Sequence, residues 1–246
     1  RIEKLTLAAP DGIISAKGAW VPRRADERTE VSFSVEAVDA GKYLARLGQP
    51  DMVVAGHAKL EGSINWAGPP YAVNYASMAG NLTFHADQGR FLRAQPGVAR
   101  LLGVLSLQSL PRRITLDFRD VFSEGFSFDQ INATATIARG GILSTEDFRM
   151  TGPQAGVLIT GRVDLDHETQ DLRVRVVPIV GDSIAAVAAL ALLNPVVGLG
   201  TLIAQRLLKD PLGQVLAHEY TITGNWAEPK VERVLNVERQ PAAPSQ

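Results

Sequence analysis

The sequence predicts a mainly β protein: a long, twisted antiparallel sheet shaped into a groove or trough, capped by short helices and an apolar helical hairpin. Three observations predict it. Apolar side chains recur at every second position through most of the 246 residues, the pattern of strands with one greasy and one polar face. Clusters of Pro, Gly and Asp separate the alternating runs, as turns do in an antiparallel sheet. One uncharged block, 183–205, is too long and too uniformly apolar to be another such strand.

Taken in order, the chain opens with a strand-like run, 2–7, and turns at Pro10-Asp11-Gly12. Val31, Phe33 and Val35 alternate with Glu30, Ser32, Ser34 and Glu36. A short helix follows over 38–47, with Tyr43, Leu44 and Leu47 on one side. In the next strand, 54–66, Val54, Gly56, Ala58, Leu60, Gly62, Ile64 and Trp66 share a face. At about 3.3 Å per residue this run reaches roughly 43 Å, twice an ordinary strand. Gly68-Pro69-Pro70 breaks it, 71–78 is expected to hold a turn of helix, and Leu82 and Phe84 begin another strand. Asp87-Gln88-Gly89 reads as a turn. The proline-bracketed stretch 96–110 predicts a second helix, with Val98, Leu101, Leu102 and Leu105 on one face.

Period two returns at Ile114, Leu116 and Phe118, then through 126–137. There the phase flips between Phe128 and Ile131, which predicts a bulge near Asp129-Gln130. Arg139-Gly140-Gly141 is a turn. Val157, Ile159, Gly161, Val163 and Leu165 form the next apolar face, 166–169 a further turn, and Leu172, Val174 and Val176 another face. Tyr220, Ile222, Gly224 and Trp226 close the series. All three tryptophans, Trp20, Trp66 and Trp226, lie at or near the end of an alternating strand. Long two-faced strands predict a broad curved sheet rather than a compact barrel.

The uncharged block contains its own punctuation. Asn194-Pro195 is an N-cap followed by a proline at the first helical position, so a new helix starts there. Asp182 caps the preceding piece and Asp210-Pro211 ends the second, giving helices over 183–193 and 195–209. The first is apolar all round, with Ile184, Val187, Leu190 and Leu193. The second carries Val196, Val197, Leu199, Leu202 and Ile203. Such a hairpin packs over the greasy face of the sheet, contacts a membrane and gates lipid delivery, or crosses a bilayer. The expected organisation is one domain, 1–238, with a helical insert at 182–210 and a disordered tail, 239–246.

The chemical inventory is poor. Lys and Arg number 25 against 26 Asp and Glu, a net charge of −1, which supplies no basic footprint for nucleic acid. The absence of Cys removes disulfides, thiolate nucleophiles and Cys-based metal centres. No HExxH, GxSxG or P-loop pattern occurs. His57, His85, His167 and His218 lack ligand spacing, with His57 and His85 on the polar side of their strands. Asp164, Asp166 and Glu168 lack the rest of a calcium loop and read as a hairpin turn. No metal, cofactor or enzymatic activity is expected.

Several segments resemble a known family. They are Leu101-Leu-Gly-Val-Leu-Ser-Leu-Gln-Ser-Leu-Pro-Arg-Arg-Ile-Thr-Leu-Asp-Phe-Arg-Asp-Val-Phe-Ser-Glu-Gly-Phe-Ser-Phe-Asp129, Met150-Thr-Gly-Pro153, Gln170-Asp-Leu-Arg-Val174 and Asn194-Pro-Val-Val-Gly198. Together they are similar to the C-terminal region of the AsmA-like proteins of Gram-negative bacteria, most closely a very large member. The likeness runs from about Trp66 to Trp226. It implies a periplasmic bridge whose full-length parent is anchored in the inner membrane. A long β-groove would carry phospholipid toward the outer membrane and support its permeability barrier, with this region at the outer-membrane end. The remainder of the same longer chain would continue the groove upstream, and no catalytic residue transfers.

On this reading phospholipid acyl chains lie against Leu60, Ile64, Leu82, Phe84, Leu116, Phe118, Val157, Ile159, Val174 and Val176. Membrane contact falls to Ile184, Val187, Leu190, Leu193, Val196, Val197, Leu199, Leu202 and Ile203. The alternative is a structural or interaction module of the envelope, whose helices fill the groove and which docks a partner or membrane.

Overall fold

The computed structural model describes residues 1–22, 27–92, 126–153, 155–178 and 218–234. They form one 11-stranded sheet in which every strand pairs with its neighbours in sequence. The strands are β1 (Ile2–Ala9), β2 (Gly12–Val21), β3 (Arg28–Ala37), β4 (Val53–Ala67), β5 (Ala79–Phe91), β6 (Phe126–Ala138), β7 (Ile142–Thr151), β8 (Ala155–Asp164), β9 (Thr169–Pro178), β10 (His218–Asn225) and β11 (Lys230–Val234). All pairings are antiparallel. β1 and β11 do not pair with each other, so the sheet is an open, curled trough and not a barrel. At about 4.8 Å per strand spacing it extends roughly 48 Å along the trough. The strands arch across the trough, and their turns form its two rims.

Alternation places apolar residues on one face because successive side chains point to opposite sides of the pleat. One row runs Ala37–Ala58–Ala86–Ile131–Met150–Val157–Val176, each residue the register partner of the next. A second runs Phe148–Ile159–Val174–Tyr220. The main core lies on this face and is centred on Phe126, Phe128, Ile131, Met150, Val157, Val174, Tyr220 and Ile222. The opposite face carries polar residues such as Lys59, Glu61, Thr83, His85, Asn132 and Arg175.

Two expectations change. Asp87-Gln88-Gly89 is not a turn but lies inside β5. Its turn-like chemistry serves a crease: Gln88 has φ 51° beside Ala55 at φ 57° and Gly56 at φ 84° in β4. Register is unbroken on both sides, Ala55↔Gly89 and His57↔Asp87 in one direction, Gly89↔Phe128 and Asp87↔Gln130 in the other. The three strands therefore flip phase together, and the sequence-predicted break at Asp129-Gln130 is the β6 part of that crease. The second change follows from it. Val54 lies on the outer side, exposed, although the alternation of 54–66 assigned it to the face of Leu60.

Two strands lack a clear sequence signal. β7 has an extra residue at Glu146-Asp147, seen as a register shift on both of its neighbours. Asp147 fills the gap by accepting from Thr134 N and from Thr134 Oγ1, each at 2.8 Å. β11 has only 5 residues.

The short helix is present as α1 (Ala40–Arg46), capped by Asp39, whose side chain accepts from Lys42 N at 3.0 Å. The turn of helix expected in 71–78 is a 3-10 turn, Tyr75–Ser77. α1 sits at one rim, where small residues leave room for it: a Cβ on Gly12 would lie 2.7 Å from the Tyr43 ring. Tyr43 and Ala40 pack with Ala37, Ile14, Val35 and Ala58. Arg46 donates to the buried carboxylate of Asp11, Nη2 to Oδ1 at 2.7 Å, and ties the helix to the β1–β2 turn. The expected helices over 96–110 and 183–209, the strand at Ile114, Leu116 and Phe118, and the tail lie outside the described residues. Segments 93–125 and 179–217 leave β5 and β9 at the rim that holds α1 and re-enter β6 and β10 there.

Candidate functional site

The largest chemical asymmetry of the molecule is between the two faces of its sheet. Ion pairs borne by strands lie on the outer face among the described residues: Lys59–Glu61 at 2.9 Å, Lys230–Glu232 at 2.8 Å, Arg28–Glu30 at 3.3 Å and Arg175–Glu219. His85 is there too, held between Asn132 Oδ1 and Asp87 Oδ2 at 2.7 Å each. His57 stands 3.5 Å from Glu36. The inner face is predominantly apolar from β1 to β9, with the buried Thr29 and Gln170 among its polar residues.

The structure brings Leu60, Ile64, Leu82, Phe84, Val157, Ile159, Val174 and Val176 onto that single inner face. Leu60 pairs with Phe84, Val157 with Val176 and Ile159 with Val174. They differ in what they offer a ligand. Val157 and Val174 are 0 % and 1 % exposed and stand within the packed wall. Leu60, Ile64, Leu82, Phe84, Ile159 and Val176 are half-buried and keep free surface. Leu116, Phe118 and all nine membrane-contact residues from Ile184 to Ile203 lie outside the described residues.

Sequence reasoning missed two parts of this face. The β1–β2 wing adds Leu5, Leu7, Ile14 and Ala16, in register with Phe33 and Val35. Leu7 is 55 % and Leu5 41 % exposed, an apolar strip on a strand whose outer edge has no partner among the described residues. The other part is polar. At the β10–β11 end, His218, Tyr220 and Arg233 share the inner face, since Tyr220 pairs with both Val174 and Arg233. Arg233 Nη2 donates to His218 Nδ1 at 3.0 Å. Burial, and then the Arg233 charge, push the His218 pKa below its usual value, and burial raises that of Tyr220. The signal was present: Val231 and Arg233 continue the period-two pattern across the β10–β11 hairpin.

The tryptophans mark the rim opposite α1. Trp20 Nε1 donates to Glu27 at 3.0 Å and Trp66 Nε1 to the Pro69 carbonyl at 3.1 Å, while Trp226 follows β10 directly. Asp164 accepts from the backbone N–H groups of Asp166 and His167 at 3.0 Å each, a hairpin turn built as its sequence suggests. Among the described residues no His, Asp and Glu cluster could hold a metal ion, and no helix is long and apolar enough to cross a membrane.

Comparison with known proteins gives one concordant family. The family model described as YhdP protein matches residues 1–231. The intermembrane phospholipid transporter YhdP of Escherichia coli (strain K12) is 27 % identical over 246 residues, covering 97 % of this chain and 19 % of that protein. The chain thus spans about a fifth of the length of this curated relative. No solved structure matches.

Proposed function

Because the chain belongs to the YhdP protein family, we propose that it is a lipid-transfer module, a section of conduit that passes phospholipid along the inner face of its sheet. The observation that carries this is the predominantly apolar face of an open sheet, on which Leu60, Ile64, Leu82, Phe84, Ile159 and Val176 keep free surface. Acyl chains lie on Leu60, Ile64, Leu82, Phe84, Ile159 and Val176, while Val157 and Val174 stiffen the wall behind them. Each buried methylene contributes about 0.8 kcal/mol, so a 16-carbon chain covered on one side gains on the order of 6 kcal/mol. A displacement of one carbon along the groove exchanges equivalent contacts. The face therefore retains lipid without fixing it, as conduction requires and a deep pocket does not.

The setting follows from the same reading. The module works in the periplasm between inner and outer membrane, and the conduit continues upstream through a strand that pairs with the open edge of β1. An unpaired strand with Ile2 and Leu7 each 55 % exposed is a template for another strand. The insert 182–210 makes the membrane contact, through Ile184, Val187, Leu190, Leu193, Val196, Val197, Leu199, Leu202 and Ile203. Replacing Leu190 and Val197 by Asp lowers liposome binding if it does.

Mass spectrometry of an organic extract of the purified, folded protein tests the proposal. Co-purified phospholipid is expected, and its loss in Leu60→Asp/Leu82→Asp. A folded wild-type protein free of lipid, and unable to take it up from liposomes, contradicts conduction by this chain.

A further inference from the structure

Arg233 is a charged side chain on the predominantly apolar inner face of the sheet, in register with Tyr220. It has no carboxylate partner there: Glu219 and Glu232 point to the outer face, where they pair with Arg175 and Lys230. Its one described hydrogen bond goes to a neutral acceptor, His218 Nδ1, which leaves the charge uncompensated and further N–H donors unused. Tyr220, its register partner, is buried and lies on the same face. The cation thus stands where an apolar track ends. The row Phe148–Ile159–Val174–Tyr220 leads into it from one side, and Val157–Val176–His218 runs beside it.

A half-buried cation on an apolar wall is costly unless an anion meets it. A guanidinium fits a phosphate diester well, because the paired N–H donors along one edge of its plane reach the two non-bridging oxygens. We propose that Arg233, with Tyr220 and His218 beside it, is a phosphate-binding subsite at the β11 end of the groove, where the headgroup phosphate of a phospholipid is held while its acyl chains lie on the half-buried Ile159 and Val176. The subsite rests on the conduit reading and adds a point of headgroup recognition to it. It sits at the rim where β10 begins.

The test measures binding of soluble short-chain ligands to the whole 246-residue chain by calorimetry. Dihexanoyl-phosphatidylglycerol is compared with dihexanoylglycerol, which lacks the phosphate, and with inorganic phosphate. The wild type should prefer the phospholipid over the diacylglycerol by about tenfold or more, the worth of one charge-assisted contact. Arg233→Gln should abolish that preference and leave diacylglycerol binding intact, which also shows that the variant is folded. Arg233→Lys should retain part of the preference, and Arg173→Gln, on the outer face, all of it. An unchanged preference in Arg233→Gln overturns the subsite and leaves the conduit standing. Inorganic phosphate that binds as tightly as the phospholipid, and is lost in Arg233→Gln, overturns the lipid assignment in favour of a free-phosphate site. A wild type that binds neither lipid defeats the subsite and the conduit together.

Discussion

At Gly80 an added Cβ would lie 2.1 Å from the carbonyl oxygen of Ser63 and 2.9 Å from Ile64 Cα, both backbone atoms of β4. The strands cannot separate there without breaking the pairing of Ile64 with Gly80. Gly80→Ala should therefore lower unfolding stability by about 1–3 kcal/mol, read from chemical denaturation. Charged residues make predictions with a sign. Arg46 holds the Asp11 carboxyl below its ordinary range through a direct hydrogen bond. A depressed acid contributes stability above its unfolded pKa and loses it as pH falls through the folded one, so this contribution fades below about pH 4. Asp11→Asn should remove that part of the acid sensitivity in pH-dependent urea unfolding. His218 is a base depressed by burial, so the unfolded state takes up its proton first. Its contribution is present above about pH 6.5 and is lost on acidification, and His218→Gln should flatten that part of the profile. Neither Arg46 as partner of Asp11 nor Arg233 as neighbour of His218 is legible in sequence, because each pairing spans strands or elements that only the register brings together.

At the scale of elements, legibility followed the regularity of the pattern. The helix at 38–47, the 3-10 turn within 71–78 and the phase break of β6 were readable because capping, proline breaks and period two are local signals. β7 was not, because its extra residue at Glu146-Asp147 shifts Leu143 and Thr145 out of phase with Phe148 and Met150. Asp147 makes that bulge possible by satisfying the Thr134 N–H that the ladder leaves unpaired. Asp147→Ala should cost about 1–2 kcal/mol and speed hydrogen exchange at the Thr134 amide. The Asp87-Gln88-Gly89 signal was misassigned for the opposite reason. The same residues that tolerate positive φ in a turn tolerate it in a crease, and only the neighbouring strands decide between them. In α1 the Tyr43 hydroxyl is buried with no hydrogen-bond partner. Tyr43→Phe should leave stability unchanged or raise it by up to about 1 kcal/mol, whereas Tyr43→Ala should cost about 3 kcal/mol in the same unfolding assay.

The described residues form one sheet whose end strands, β1 and β11, do not pair, and the function is proposed from that. Alternation along each strand revealed two faces without revealing which is concave. That is a property of curl, crease and bulge acting together. The structure gathers the apolar rows on one face and the ion pairs of the strands on the other, and on the apolar face it leaves Leu60, Ile64, Leu82, Phe84, Ile159 and Val176 half-covered beside the buried Val157 and Val174. The most direct test of the account asks which face touches lipid. A photoreactive p-benzoylphenylalanine is placed singly at Leu60, Ile64 and Leu82 on the inner face, and at Lys59, Glu61 and Thr83 on the outer face. The protein is loaded with phospholipid, irradiated and analysed by mass spectrometry. Lipid adducts are expected from the inner positions and not from the adjacent outer ones. Adducts distributed equally over both faces, or absent from the inner positions of a folded protein, would contradict the conduit.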